Sequence, residues 1–441
     1  MKLAASIEKF RDLILSAQEY IFHNPETGYR EWKTTRYLEE AFEGLGYSLT
    51  RAGDIPGFYT VIDTGREGPE VLILGELDSI ICAEHPHADK ETGAAHACGH
   101  SAQCAALLGI AAALREPGAL DALCGRIRLC AVPAEELIEI EYRHALKKQG
   151  VIKYMGGKPE FLRRGYFDGV DLAFMVHTSQ GDHFAANAGA IGCIAKQIVY
   201  KGRSAHAGGS PWEGCNALYA ATQGLSAANA VRETFRDTDM IRFHPIVTKG
   251  GGAVNAIPDR VVIESYVRGG SFSAILEANR RINRALCGGA LSLGANVDIK
   301  DTPGYAPLHN DEEMIALSRD AAEALGLPFS QSDAISTGCT DMGDLSVLMP
   351  VIHPYAPGAV GLSHGADYMI AQPELACLGS AKWQLAMLQL LLENGAARAK
   401  RILAAFKPEF PSKQAYFDYI DAFTAAGDRI TYEEGKAGVI L

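Results

Sequence analysis

The chain has 441 residues, 48% of them hydrophobic and 21% charged, with a formal net charge of −12. That length exceeds one ordinary core, so at least two domains are expected, and the composition is that of a globular protein rather than a fibrous or disordered one. The acidic balance argues against nucleic acid or an anionic membrane as the main partner, although one pocket arginine can reverse the local field for an acidic small substrate.

The elements follow from the spacing of apolar residues. Ile7, Phe10, Leu13, Ile14, Ala17 and Ile21 recur at helical intervals and predict an amphipathic helix over 5–23, broken by Asn24-Pro25-Glu26-Thr27-Gly28. A second helix over 34–45 stops at Gly46. Strands are predicted at 58–63 and 71–76, a helix from about 102 to 114, and strands at 127–132 and 172–176. This alternation is that of a doubly wound sheet. Between the last two strands a basic stretch (Arg143, Lys147, Lys148, Lys153, Lys158, Arg163, Arg164) reads as solvated helix and surface loop. The pattern changes near Gly189: strand 190–201, helix 216–235, strands 242–248 and 260–267, helix 273–286, strand 296–300. That β-α-β-β-α-β order is ferredoxin-like. From Asp311 the first pattern returns, with a helix to Leu325, a strand over 347–352, a strand-like run into His364 and a helix near 375–392. The expected fold is α/β: a doubly wound, mostly parallel-sheet domain in two parts, 1–188 and 303–441, with a ferredoxin-like α+β domain inserted at 189–302.

Ten cysteines are scattered without a framework, several within apolar runs (Cys104, Cys130, Cys193). Together with an N-terminus that meets charge too early for a signal peptide, they predict free buried thiols in a cytoplasmic protein. The apolar stretch Ala105 to Leu114 is too short to span a bilayer.

Chemistry-bearing residues stand where the apolar runs end. Val71–Leu74 leads into Gly75-Glu76-Leu77-Asp78, and the cluster His96-Ala97-Cys98-Gly99-His100 follows. Arg126–Val132 ends in Pro133-Ala134-Glu135-Glu136, Asp171–Val176 ends in His177, and Ala359–Ser363 ends in His364. In open α/β sheets ligands bind outside the carboxyl ends of parallel strands, and thiolate, imidazole and carboxylate groups converging there describe a metal site. Gly99 permits the unusual φ that a turn between Cys98 and His100 needs. Of the adjacent Glu135 and Glu136, one can ligate metal while the other takes the proton of a bound water and passes it to a leaving amine. Asp78 suits the orientation of a ligating imidazole. His96 reads as a helper or as loop packing, and His85 and His87 as exposed loop residues. The pattern predicts a metal-dependent hydrolase. The plainer alternatives are a buried thiol beside a structural histidine and a pair of solvated acids.

These segments, with Gly202-Arg203-Ser204-Ala205-His206-Ala207, resemble a metallopeptidase and amidohydrolase family. It includes carboxypeptidase G, aminoacylases, hippurate hydrolases, indoleacetyl-amino-acid hydrolases and aminobenzoyl-glutamate hydrolases. The resemblance runs from Phe22-His23-Asn24-Pro25-Glu26 to His364. Gly75–Asp78 and Thr340-Asp341-Met342-Gly343-Asp344 look closest to the aminobenzoyl-glutamate branch. The resemblance implies two divalent metal ions, Zn²⁺ or Mn²⁺, with Co²⁺ or Ni²⁺ as substitutes in vitro. It assigns Cys98, His100, Glu136, His177 and His364 as ligands and Glu135 as general base. It makes the inserted domain a dimerisation lid of a homodimer, whose His206 reaches the partner subunit's active site to stabilise an oxyanion. Asn255 and Arg268 match positions that bind a substrate carboxylate or carbonyl. The implied substrate is an N-acyl or N-aroyl amino acid, with dipeptidase or carboxypeptidase action as the alternative. A cysteine hydrolase built on Cys98 and His100, and an inactive ligand-binding homologue, are more remote readings. Ser101, Val132 and Thr178-Ser179-Gln180 depart from the family pattern without removing a ligand or the base. They bear on side-chain preference and on the choice of metal.

Overall fold

Strand Glu70–Glu76 is buried at every position and Arg126–Val132 at all but its first; strands buried on both faces belong between two helical layers. In the computed structural model, which describes residues 1–441, these two are parallel neighbours in a six-stranded sheet. Its order is 50–51, 58–63, 126–132, 70–76, 172–174 and 351–352. Strand 58–63 runs antiparallel to both of its neighbours, 50–51 and 126–132, and the last four strands are mutually parallel. Glu76 pairs with Val132 in register, so the acid-bearing segments that follow both strands leave the sheet at one edge.

Alternate sheet residues face opposite layers, as the two-residue period of a strand requires. Val71, Ile73, Ile127 and Leu129 join the core that holds helices Arg11–Phe22 and His100–Leu114 with Trp383. Leu72, Leu74, Cys130 and Val132 join a second core with Phe161, Met342 and Tyr416. Every residue of His100–Leu114 is buried. The apolar helical stretch Glu374–Ala405 is long and apolar enough to cross a membrane by length and composition, and its apolar window is 78% buried in this fold.

The inserted unit is a five-stranded antiparallel sheet. Strand Gly192–Lys201 pairs with Arg260–Gly269 on one side and Asn296–Pro303 on the other, and two short strands, Arg242–Phe243 and Ile246–Lys249, continue beyond Arg260–Gly269. Helices Ala217–Arg232 and Phe272–Ser292 pack on it, each started by a side-chain cap, Asn216 and Ser271, that satisfies free N–H groups.

Several expectations are corrected. The basic stretch is not solvated throughout. Arg143 and Lys158 are fully buried, and Arg143 donates to the carbonyls of Met155 (2.6 Å) and Glu136, a strut beneath the Pro133–Glu136 segment. The strand over 347–352 shortens to Val351–Ile352, because the helical turn Gly343–Ser346 continues in turns, with the Leu348 and Met349 N–H groups on the Leu345 carbonyl. The run into His364 lies outside the central sheet. Only Ala359–Val360 is extended, in a hairpin with Met369–Ile370. Residues 424–441 run beside the inserted sheet, with bridges Asp298–Asp428 and Asp301–Ala425 and with Ile430 in that unit's core.

Candidate metal centre

The site begins with a backbone requirement. Gly99 precedes helix His100–Leu114 with φ +112° and ψ 5°, a conformation that side chains rarely adopt. A Cβ there would stand 2.7 Å from Tyr368 Oη and 3.0 Å from Thr178 Cβ. Cys98 and His100 therefore turn inward around a residue that has to be glycine.

Four further segments converge on that turn. Cys98 Sγ is 3.4 Å from His177 Nε2, and His177 Nδ1 is 2.8 Å from the Thr178 carbonyl. His100 Nδ1 is 2.8 Å from the Asp78 carbonyl and 3.2 Å from its carboxylate. Those acceptors place a proton on Nδ1 and turn Nε2, which has no hydrogen-bond partner, toward the other candidate ligands. Asp78 also accepts from the Glu136 backbone N–H at 2.8 Å, so one carboxylate touches two expected ligands. His364, in a left-handed turn at φ +65°, is held by its N–H to the Ala97 carbonyl and lies 3.0 Å from Glu136.

The potential ligand atoms of Cys98, His100 and His177 lie within 4.8 Å of one another, as do those of Cys98, Glu136 and His364. These two three-residue groups share one sulfur, and together they would suit a pair of divalent cations. A buried, unpartnered imidazole nitrogen in a set of thiolate, imidazole and carboxylate donors fits borderline-soft divalent ions. All five expected ligands are brought together.

The electrostatics agree with this chemistry. Burial and Glu136 push the Cys98 thiol up, but His177 and His100 outweigh them and hold it at about 6. Burial raises Glu136, yet His364 and His100 bring it to about 2. Burial, then the neighbouring carboxylates Glu76, Glu136 and Asp341, raise Glu135 well above the carboxylate range, the direction wanted of a group that carries a proton.

A cavity of about 500 Å³ opens over the cluster, lined by Glu135, Tyr266, Arg268, Tyr305 and Tyr355 among others. Tyr305 donates to the Glu135 carbonyl and Tyr266, from the inserted sheet, to that of Leu137. Arg268 is half-buried there, cross-strand from Cys193, with its Nε unpartnered. Asn255 and His206 do not reach this cavity within one chain. Both are exposed on a loop closed by the bridge His206–Ala256 and by Ala207 N–H to the Asn255 carbonyl at 2.9 Å. His96 is buried with neither nitrogen partnered and joins no ligand group. His85, expected to be exposed, is buried and lies 2.9 Å from the Tyr368 carbonyl; His87 is exposed.

Sequence reasoning missed three parts of the site. His353 follows strand Val351–Ile352 into the cavity wall, its ring centroid 5.6 Å from that of His177; the strand-end rule that found the ligands also reaches it. Glu76 ends its strand 3.2 Å from His100 Nε2. Lys158 and Asp341 stand behind Glu76, and no local pattern marks them.

Residues 72–380 match the sequence profile of peptidase family M20/M25/M40. The Xaa-Arg dipeptidase of Homo sapiens is 30% identical over 394 residues, 83% of this chain and 82% of that protein. The N-acetyl-L-cysteine deacetylase of Bacillus subtilis is 28% identical over 323 residues, 70% of this chain and 72% of its own. A solved structure, a dinuclear metal binding peptidase of the M20 family from Bacillus subtilis, superposes with a TM-score of 0.62 at 20% identity, over 87% of this chain and 99% of that one. At that identity it speaks for the fold.

Proposed function

The chain belongs to peptidase family M20/M25/M40 and is a hydrolase of amide or peptide bonds; on that premise we propose that it cleaves the amide of an N-acyl or N-aroyl amino acid bearing a free carboxylate. One observation carries this reading. The cavity lined by Glu135, Cys98, Glu136, His177 and His364 is also lined by Arg268, a half-buried guanidinium with an unpartnered N–H, and a planar fork of that kind suits a carboxylate.

Cys98, His100, His177, Glu136 and His364 would hold two divalent ions, Zn²⁺ or Mn²⁺. When bound, the metal pair supplies Lewis-acid polarisation of the scissile carbonyl and acidifies the attacking water. Glu135 takes the proton of that water on its carboxylate and returns it to the leaving nitrogen. Arg268 anchors the product amino acid. Asp78 keeps His100 and Glu136 in place throughout. His206 and Asn255 act in the partner subunit's cavity, through a homodimer of the inserted units in the cytoplasm. Exposed Trp212, Ile246 and Val247 on that unit support such pairing.

Dipeptidase action is the second reading, favoured by the 30% identity to the Xaa-Arg dipeptidase. Apart from Glu135 and Glu136 the cavity lining contains no carboxylate to meet a basic side chain, so a neutral or acidic amino acid fits better. The test is Glu135→Gln. It is expected to retain both metals by elemental analysis while turnover of N-acyl amino acids falls about 10²–10⁴-fold. Near-normal turnover would refute the assignment, and a preference for dipeptides with a free amino group would favour the second reading.

A further inference from the structure

Behind the metal centre lies a buried ionic cluster that the proposed chemistry does not use. Lys158, Glu76 and Asp341 are each fully buried. The Lys158 ammonium lies 2.5 Å from Glu76 Oε1 and bonds Asp341 Oδ1, while its backbone N–H donates to Asp341 Oδ2 at 2.9 Å. The second Glu76 oxygen accepts from Gln103 Nε2 at 2.9 Å and stands 3.2 Å from His100 Nε2, the nitrogen facing the other ligands. Buried ion pairs are weak contributors to stability compared with apolar side chains of equal volume, so the fold alone gives little reason for three charges here. Their placement gives one. Glu76, His100 and Glu135 form a third convergent group, with atoms within 4.8 Å of one another. A free Glu76 would compete for the cation that His100 is to bind.

We propose that Lys158 is a positioning residue for the metal centre: its ammonium, backed by Asp341, holds the Glu76 carboxylate as a fixed anion beside His100 Nε2 and withholds it from metal ligation. With Oε1 on Lys158 and Oε2 on Gln103, Glu76 is a rigid wall for the imidazole edge, as Asp78 is on the opposite nitrogen. Residues that fix a metal centre without ligating it are typically worth about 10–100-fold in metal affinity.

This inference rests on reading Cys98, His100, Glu136, His177 and His364 as ligands, and the experiment separates the two. Metal affinity is measured by chelator competition with Zn²⁺ and Co²⁺ on the full-length protein, and the Co²⁺ absorption spectrum is recorded. The variants are Lys158→Met, Glu76→Gln and, as comparator, Lys196→Met. Lys196 is equally buried in the inserted unit against Asp301, Asn279 and Asn283, so its loss reports general destabilisation. The expected result is a loss of about 10–100-fold in affinity and an altered Co²⁺ spectrum for Lys158→Met and Glu76→Gln, with Lys196→Met matching the parent in both. Unchanged or tighter binding in the first two overturns the proposal, as does an equal loss in Lys196→Met. If Lys158→Met does not fold, Glu76→Gln, which leaves the Lys158–Asp341 pair intact, decides alone. A parent protein that binds neither ion defeats the ligand assignment itself, and with it this inference.

Discussion

Gly99 offers a test of the site that leaves every ligand and acid in place. Replacing it with alanine imposes two costs that the structure separates. At φ +112° a Cβ-bearing residue sits in a strained region, at about 1–3 kcal/mol. The new methyl also meets Tyr368 Oη at 2.7 Å and Thr178 Cβ at 3.0 Å, and forcing such neighbours apart in a packed interior costs about 1–3 kcal/mol more. Tyr368 cannot yield freely, since its hydroxyl donates to the Cys98 carbonyl at 3.0 Å. The displacement is therefore passed to Cys98 itself. Gly150 is the control: its φ is +75°, it is exposed, and a methyl added there would have no neighbour within 4 Å, so Gly150→Ala carries only the conformational cost, about 1 kcal/mol. Urea midpoints of metal-stripped protein, read beside chelator competition for the metal, give both quantities. Gly99→Ala is expected to lose about 2–6 kcal/mol and to bind metal more weakly. The reasoning is refuted if Gly99→Ala and Gly150→Ala are equally stable and both keep the parent affinity.

Three other outcomes follow from the same geometry. Arg268→Met is expected to keep its metals and lose about 10–100-fold in kcat/KM through KM, the size of one charge-assisted hydrogen bond; a loss below about threefold in steady-state kinetics would remove Arg268 from the substrate site. His206→Ala and Glu135→Gln, each inactive alone, are expected to recover about a quarter of parent activity when mixed at equal amounts and reassociated. Half the random dimers are then mixed, and each of those has one complete site; no recovery in a confirmed heterodimer would mean that His206 does not act across subunits. Burial, then Lys300 and Lys147, lower His144 from 6.5 to about 3. Its folded pKa lies below the unfolded one, so its neutral form is free of penalty above pH 6.5, and stability falls as pH drops through the window from 6.5 toward 3. At about pH 5 the loss is ~2 kcal/mol, and His144→Gln should flatten that part of the stability profile in urea melts at about pH 7 and 5. An unchanged pH slope would assign the acid sensitivity elsewhere.

Most of the proposed ligands are legible because they are marked locally: an apolar run stops and a thiol, imidazole or carboxylate follows. His177 and the Glu135–Glu136 pair obey that rule at the edge of the parallel sheet. His364 does not, for its run is a short hairpin, and resemblance rather than topology identifies it. His353 lies within reach of the rule, but the apolar face of the run over 347–352 draws attention away from the residue that stands just beyond it. Lys158 belongs to another kind of information. It sits among seven arginines and lysines that look solvated, and its partners Glu76 and Asp341 lie 82 and 183 residues away. Nothing in a sequence window distinguishes a lysine that will be solvated from one that will neutralise two carboxylates after three segments have closed around it. Arg143 is hidden for the same reason, since what it binds are backbone carbonyls, which every residue has. The two cations removed from the surface are also the ones that brace the acidic segments of the centre, Arg143 beneath Glu136 and Lys158 behind Glu76. A metal site rich in carboxylates repels itself when empty, and internal cations placed before the metal arrives let the chain fold around that charge without it. Neutralising Lys158 is therefore expected to destabilise the metal-stripped protein in urea melts, and the loaded protein by about 1.4–2.7 kcal/mol more, the binding energy that a site weakened about 10–100-fold no longer returns to the fold; a stripped variant as stable as the stripped parent would refute that task.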